Sequence, residues 1–184
     1  YYLGKFSVSL FILISGISCS LSRSNFKRGF KLLILSLVIS LATYLYNPAF
    51  IIKFGIIHFF AASFLLYSIF GRLNSVFNII IGTVVISLDL YVSGVTTTLS
   101  FLFPFGITEP SFASSDYYPL IPWFGLFLYG VALGKIFYKD KKSLFRFNVR
   151  DNLINMVGRH TLLIYFIHQP VTITILWLIN YISG

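Results

Sequence analysis

The sequence predicts an all-α fold, a polytopic transmembrane helical bundle of about six spans that forms a single transmembrane domain over residues 1–184. Of the 184 residues, 57% are apolar and only 10% are charged, against about 25% charged residues in ordinary soluble domains. The apolar residues come in runs of about the 20 residues that a helix needs to cross the hydrocarbon of a bilayer. These runs do not alternate between apolar and polar positions, as the strands of a membrane β-barrel would.

Six apolar runs define the predicted spans, at about 3–22, 30–46, 54–70, 76–92, 119–138 and 161–182. Residues 95–107 are also apolar, but they are too short to span and are interrupted by Pro104 and Gly106. We expect them to form a re-entrant or surface-lying piece. The connection 139–160 carries apolar residues at helical spacing, which predicts a short amphipathic helix on the inner surface.

The distribution of charge predicts the orientation of the chain. The net charge is +9, with 14 basic residues, and all of these except Lys5 and Lys53 fall at the ends of the spans that face one side. Basic loops stay in the cytoplasm, so we expect a multi-pass protein of the plasma membrane with residue 1 and the C-terminus outside. With Tyr1 outside, an earlier span would be needed, so the sequence is expected to be a fragment lacking at least one N-terminal span. This charge pattern reflects membrane topology and indicates a lipid bilayer, not a nucleic acid, as the partner.

Ionisable residues inside or close to the predicted spans are the candidates for chemistry. His58 and Asp89 lie near the outer boundary, and His168 lies near mid-membrane, directly before Gln169 and Pro170. Such residues are costly in lipid and are functional candidates by default. The alternative for each is a polar bridge between helices. Asp116, on the long outer stretch 93–118, could join them in receiving an acceptor and its proton.

Four basic residues surround the first inner loop: Arg23, Lys27, Arg28 and Lys31. They could bind phosphates, or they could serve orientation alone. In the fifth span, Gly130 and Gly134 form a GxxxG pair, which predicts a close helix contact. The three His are far apart, and a single Cys does not make a thiolate site, so no metal is expected.

Four segments together resemble the bacterial DUF1624 family, which is related to the catalytic domain of heparan-alpha-glucosaminide N-acetyltransferase within the wider transmembrane acyltransferases. They are LFILISGISCSLSRSNFKRGFKLL, FGIIHFFAASFLL, DYYPLIPWFGLFLYGVALGK and GRHTLLIYFIHQP. The resemblance covers about residues 8–171. It implies that an acetyl or other acyl group moves from cytosolic acyl-CoA, with acetyl-CoA as donor, to a sugar or other acceptor on the outer side.

Family members begin with a span that carries an Arg-Gly pair, followed by an outer histidine, and this sequence has neither element. The resemblance therefore implies that the histidine usually assigned to catalysis would lie upstream of Tyr1. Within this sequence, the candidate catalytic residues are His168, His58, Asp116 and Asp89. The candidate acyl-CoA ligands are Arg23, Lys27, Arg28 and Lys31.

Two other functions stay open from the sequence. Kinked spans and midplane polar residues also suit a transporter or exporter, although no clear internal repeat is visible across the six spans. A non-catalytic membrane subunit, in which the histidines only bridge helices, is the third hypothesis. A glycan is one candidate acceptor for the acyltransferase, and a homo-oligomer is left open.

Overall fold

A computed structural model of the chain describes residues 2–22, 24–139, 175 and 179. The chain divides into two compact units, Tyr1–Leu144 and Phe145–Gly184, and the elements below belong to the first. Its described residues form five α-helices: α1 (Tyr2–Leu21), α2 (Asn25–Tyr46), α3 (Ile56–Phe70), α4 (Ser75–Val92) and α5 (Leu120–Phe137). They confirm the all-α prediction and correspond to the first five predicted spans. Apart from residues 175 and 179, the sixth predicted span lies outside the described residues, as does the predicted amphipathic helix.

Four of these helices, α1, α2, α4 and α5, are long and apolar enough to cross a membrane. Much of their apolar surface is exposed, as at Phe30, Ile34 and Leu37 of α2. In lipid these side chains need no protein cover, because lipid tails are as apolar as they are. The helices therefore fit a multi-pass membrane protein.

Helix α3 is shorter than the predicted span 54–70, and it is surrounded by protein. Its 15 residues extend for about 22 Å at 1.5 Å per residue, which is less than the hydrocarbon thickness of about 30 Å. Phe59 and Phe64 are buried, and Phe60 makes an edge-to-face contact with Phe11 of α1 at 5.1 Å between ring centroids. The helix is thus the buried centre of the described bundle.

The carbonyl end of α3 is bonded by side chains of its neighbours. Lys135 of α5 donates a hydrogen bond to the backbone carbonyl of Leu73. Asn78 of α4 is fully buried. Its side-chain amide is oriented so that the nitrogen donates to the Phe70 carbonyl at 3.1 Å and the oxygen accepts from Lys135 Nζ at 3.2 Å. Polar groups at this depth would otherwise be left without water or protein partners.

Helix α5 packs against α1 on one face and α4 on another. A Cβ atom at Gly130 would collide with the Leu13 carbonyl of α1, and one at Gly134 would lie 2.9 Å from the Ile17 carbonyl. The close contact predicted from the GxxxG pair is confirmed, with α1 as its partner. On the α4 side, a Cβ atom at Gly125 would lie 2.5 Å from the Gly82 carbonyl.

Successive helices alternate in direction, which gives the bundle two distinct ends. We call the end with the α1–α2 and α3–α4 connections and the end of α5 the basic end. We call the end with the α2–α3 and α4–α5 connections the cap end. Among the described residues, the basic end carries Lys27, Arg28, Lys31, Arg72, Lys135 and Lys139, and the cap end carries Lys5 and Lys53. That the basic end faces the cytoplasm stays a prediction.

Candidate functional site

His58 lies in the first turn of α3, at the cap end, and both of its ring nitrogens are bonded. Nδ1 accepts a hydrogen bond from the backbone N–H of Gly55 at 3.3 Å. Nε2 lies 3.0 Å from Oγ of Ser40 on α2. The Ser40 hydroxyl in turn donates to the backbone carbonyl of Ile52 at 2.6 Å. His58 therefore links α2 to the start of α3 through a continuous chain of hydrogen bonds.

These partners define the protonation of the ring. The backbone N–H of Gly55 can only donate, so Nδ1 of His58 must be the unprotonated nitrogen. The Ser40 hydroxyl donates its proton to the hydrogen bond with the Ile52 carbonyl. Its oxygen therefore accepts a hydrogen bond from the Nε2–H of His58. The network assigns His58 as the neutral tautomer with the proton on Nε2, and that N–H is a hydrogen-bond donor.

Asp116 reaches the same turn from the loop that precedes α5. The loop docks on the start of α3 through backbone bonds, from Ser115 N to the Ile51 carbonyl at 3.2 Å and from Tyr118 N to the Phe54 carbonyl at 2.9 Å. Oδ2 of Asp116 then accepts from Ile56 N at 2.9 Å. A carboxylate at a helix N-terminus satisfies a free N–H and interacts favourably with the helix dipole. The structure therefore brings Asp116 and His58 to one turn of the chain.

The surroundings of Asp116 act on its ionisation in opposite directions. Burial raises the pKa of the carboxyl above its ordinary value, and the backbone N–H groups of Ile56 and Tyr117 lower it, with burial the larger effect. Burial also raises the pKa of Tyr117 to about 12, so its hydroxyl stays protonated and donates to the Phe103 carbonyl at 2.6 Å. A carboxyl with a raised pKa is closer to the range in which it can exchange a proton.

An aromatic cluster covers this turn on the cap side. It consists of Phe54, Phe103, Phe112 and Tyr117. Phe103 and Phe112 are stacked with their ring centroids 6.0 Å apart, and Phe112 lies 4.9 Å from Tyr117. Nζ of Lys53 lies 4.7 Å from the Phe112 ring centroid, a distance typical of a cation–π contact. Sequence reasoning missed this cluster, since no periodic pattern relates its members.

Asp89 occupies a different position from His58 and Asp116. It lies in the last turn of α4, and its backbone carbonyl accepts from Ser93 N at 2.8 Å. Within the part of the chain that the structure describes, its carboxylate makes no hydrogen bond or ion pair with either of those residues. Asp89 is thus at the predicted end of the bundle, outside the polar cluster that His58 and Asp116 form with their hydrogen-bond partners at the start of α3.

The basic end presents Lys27, Arg28 and Lys31 in the first turns of α2, with all three side chains exposed. Lys27 and Lys31 are four residues apart and share one helix face. The guanidinium carbon of Arg28 lies 4.8 Å from the Phe64 ring centroid of α3. Exposed cations at this spacing are available to phosphate oxygens. The other two predicted site residues, Arg23 and His168, lie outside the described residues.

The described residues do not offer a metal site of the usual kind. No group of three or more His, Cys, Asp or Glu side chains among them could hold a metal ion. Cys19 is buried in α1 as a free thiol, where the side-chain amide of Asn25 donates to its backbone carbonyl at 2.7 Å.

The helices and the polar cluster define a multi-pass membrane protein whose ionisable side chains gather where a loop docks on a buried helix. The family model described as heparan-alpha-glucosaminide N-acetyltransferase, catalytic, matches residues 1–170. The chain belongs to this family. No curated protein and no solved structure matches it.

Proposed function

We propose that the protein is a membrane acetyltransferase that moves the acetyl group of acetyl-CoA to an amine or hydroxyl of a sugar or other acceptor. The observation that carries this proposal is the family match over residues 1–170. The arrangement of the described residues supports it, because exposed cations suited to CoA phosphates and an acid–base cluster occupy opposite ends of one bundle.

At the basic end, we assign Lys27, Arg28 and Lys31, together with Arg23, to the phosphates of acetyl-CoA. Guanidinium and ammonium groups bind phosphate oxygens through charge-assisted hydrogen bonds. Helix α2 has 22 residues and extends for about 33 Å, so the acetyl group must pass a substantial depth of the bundle. His168, in the predicted sixth span, is the proposed proton acceptor.

In the transfer step, the acceptor nitrogen or oxygen would attack the thioester carbonyl, the carbon–sulfur bond would break, and CoA would leave as the thiol with the acceptor proton. We assign that proton transiently to His168, whose ordinary pKa suits transfer near neutral pH. Asp116 and Asp89 hold the acceptor's polar groups. The Nε2–H of His58 is a donor, so it can stabilise the developing oxyanion in place of Ser40.

The proposal is tested in membranes containing the full natural protein, with radiolabelled acetyl-CoA and an amino-sugar acceptor such as a glucosamine-terminated oligosaccharide. Arg28→Ala should raise the KM for acetyl-CoA about tenfold, the equivalent of one charge-assisted contact. Lys139→Ala, a basic-end lysine outside the cluster, is the matched control and should leave the KM unchanged. Asp116→Asn and His168→Asn should lower kcat.

Two results would count against the proposal. The first is an absence of acetyl transfer together with no protection of Arg28 from arginine-modifying reagents by CoA. The second is full activity of the His168→Asn variant, which would support the non-catalytic role for that histidine.

A further inference from the structure

We propose that the short 3-10 helix Ser100–Phe105 lies in the lipid interface at the cap end and anchors the α4–α5 loop to the bilayer. The partner is the membrane itself, and the contact residues are Leu99, Phe101 and Phe105. This surface is separate from the proposed acetyl transfer and does not depend on it.

The helix has two faces with different surroundings. On its inner face, Phe103 packs against Phe54, with ring centroids 6.1 Å apart, and against Phe112 of the aromatic cluster. On its outer face, Leu99, Phe101 and Phe105 are 50%, 67% and 48% exposed. An exposed group of large apolar side chains on one side of a docked segment marks an interaction surface.

The composition of the loop favours lipid over water as the surrounding medium. Residues 90–108 contain no Lys, Arg, Asp or Glu. The next charged residue, Glu109, accepts a hydrogen bond from the Ser100 hydroxyl, which places a polar group at the edge of the apolar surface. A water-exposed loop of this length would ordinarily carry charge.

The exposed apolar surface is also continuous with the lipid-facing surface of α4. Leu90 and Tyr91, at the end of that helix, are 84% and 77% exposed, and Val95 continues the apolar surface into the loop. Because α4 is apolar enough to cross the membrane, lipid already surrounds the point from which the loop departs. This continuity is why we assign lipid, and not a protein partner, to the surface.

The backbone geometry suits an interfacial position. Six residues of 3-10 helix extend for about 12 Å, too short to span, while interfacial helices bury only about 5–10 Å into the boundary. Leu102 N donates to the Leu99 carbonyl at 3.2 Å, and Gly106 N donates to the Phe103 carbonyl at 3.1 Å. Gly106 has a φ of +99°, a left-handed conformation that glycine adopts freely, and it ends the helix so that the chain turns back.

Spin-label accessibility in proteoliposomes tests the position directly. Cys19, the one native cysteine, is replaced by Ala, and a nitroxide is attached at Phe101→Cys in vesicles of phosphatidylcholine and phosphatidylglycerol. The ratio of collisions with dissolved oxygen to collisions with a water-soluble nickel complex should be severalfold higher there than at Ser111→Cys, an exposed site in the same loop. A second label at Phe105→Cys should give the same collision ratio as Phe101→Cys. Two labelled variants keep the test valid if one of them fails to fold.

A ratio at Phe101→Cys and Phe105→Cys as low as that at Ser111→Cys would overturn the proposal. So would efficient disulfide crosslinking between Phe101→Cys copies in the bilayer, because it would assign the surface to a second copy of the chain. Both readouts are independent of acetyl transfer, so an inactive protein with lipid-embedded labels would refute only the proposed function.

Discussion

Gly55 is the residue on which both polar side chains of the cap end rely. Its N–H donates to His58 Nδ1, and its missing side chain leaves the space that Asp116 Oδ2 occupies. Its φ of −84° is accessible to any residue, so the requirement is for space and not for an unusual backbone conformation. A larger side chain would force the docked loop away from the start of α3.

We predict that Gly55→Ala destabilises the protein by about 1–3 kcal/mol, the usual range for overfilling a packed site. The added Cβ would collide with Asp116 Oδ2 and lie 2.9 Å from the Ile52 side chain. Thermal unfolding in detergent measures the loss. Gly4→Ala is the matched control, since a Cβ there meets nothing within 4 Å and alanine favours the helix. Equal stability of the two variants would refute the crowding of Gly55.

The raised pKa of Asp116 predicts a pH dependence of stability. A carboxyl whose pKa is higher in the folded than in the unfolded state contributes stability below its unfolded pKa, about 3.9 for Asp, and this is lost as the pH rises through the folded pKa. The wild-type protein should therefore lose stability relative to Asp116→Asn as the pH rises from about 4 through the folded pKa. Thermal unfolding of both proteins across that range gives the difference directly.

A control variant separates this effect from a loosened loop. Ser115→Ala removes the neighbouring hydrogen bond to the Phe50 carbonyl without removing a titrating group. It should lower stability by a similar amount at every pH. If the stability difference between wild type and Asp116→Asn does not change with pH, the carboxyl does not titrate differently in the folded state.

The sequence predicted His58 and Asp116 as candidate residues near the same boundary, but not the hydrogen bonds that bring them to one turn. His58 and Asp116 stood out because ionisable groups are rare in or beside apolar runs. Asp116 reaches the turn that contains His58 through its hydrogen bond with the backbone N–H of Ile56, a residue 60 positions away in the sequence. Sequence periodicity reports only neighbours within one element, so it contains no information on how the loop docks. The roles of Arg23 and His168 stay predictions.

At the scale of elements, both ends of α3 are hydrogen-bonded by side chains from other elements. The Asp116 carboxylate bonds an N–H at its start, and the Lys135 ammonium bonds the Leu73 carbonyl just beyond its end. Both charges complement the helix dipole. A helix of 15 residues, too short to reach water at both ends, is accommodated because neighbouring elements satisfy its terminal groups.

We predict that Lys135→Met lowers stability by about 1–3 kcal/mol, because the Leu73 carbonyl and the oxygen of the buried Asn78 side chain lose their donor. Methionine keeps the length and apolar stem of the side chain. Lys139→Met is the matched control, because Lys139 is exposed at the same end of the bundle. Denaturation by sodium dodecyl sulfate in mixed micelles measures both. Indistinguishable curves would show that the Lys135 contact contributes nothing to stability.

Lys135 is not distinguishable by sequence from the other basic residues of that end. Its charge predicts only the orientation of the chain, because its contact with Leu73 depends on the end of α5 lying beside the end of α3. The same limit applies to α3 itself. Hydropathy predicted a span over 54–70, whereas the helix starts at Ile56 because Phe54 and Gly55 bond to the docked loop and to His58.

At the scale of the whole molecule, α5 is the element that joins the others. Its glycines allow the backbones of α1 and α4 to approach closely on two faces, a packing mode suited to lipid, where van der Waals contact replaces the hydrophobic effect. The GxxxG pair predicted that such a contact exists. It could not identify α1 as the partner, because the motif predicts a closely packed surface on α5 and does not indicate which helix packs there.

We predict that Gly130→Val destabilises the bundle by about 2 kcal/mol or more, because the new side chain meets the Leu13 backbone of α1 and overpacking of this kind is not relieved by a rotamer change. Enlarging a lipid-facing position, as in Val38→Leu on α2, is the control and should be nearly neutral. Protease susceptibility and thermal unfolding in detergent both report the change. A neutral Gly130→Val would contradict the close α1–α5 contact.

The contact between the first and fifth helices has a consequence for biosynthesis. Helix α1 leaves the ribosome long before α5, so its Gly16 face, which meets the Phe127 carbonyl and Gly130, waits in the membrane without its native partner until most of the described chain has been made. A nascent chain that stops within the α4–α5 loop would present that face, together with Gly82 of α4, to lipid or to the insertion machinery. Closure of the bundle by α5 is therefore a late event in the biosynthesis of the chain.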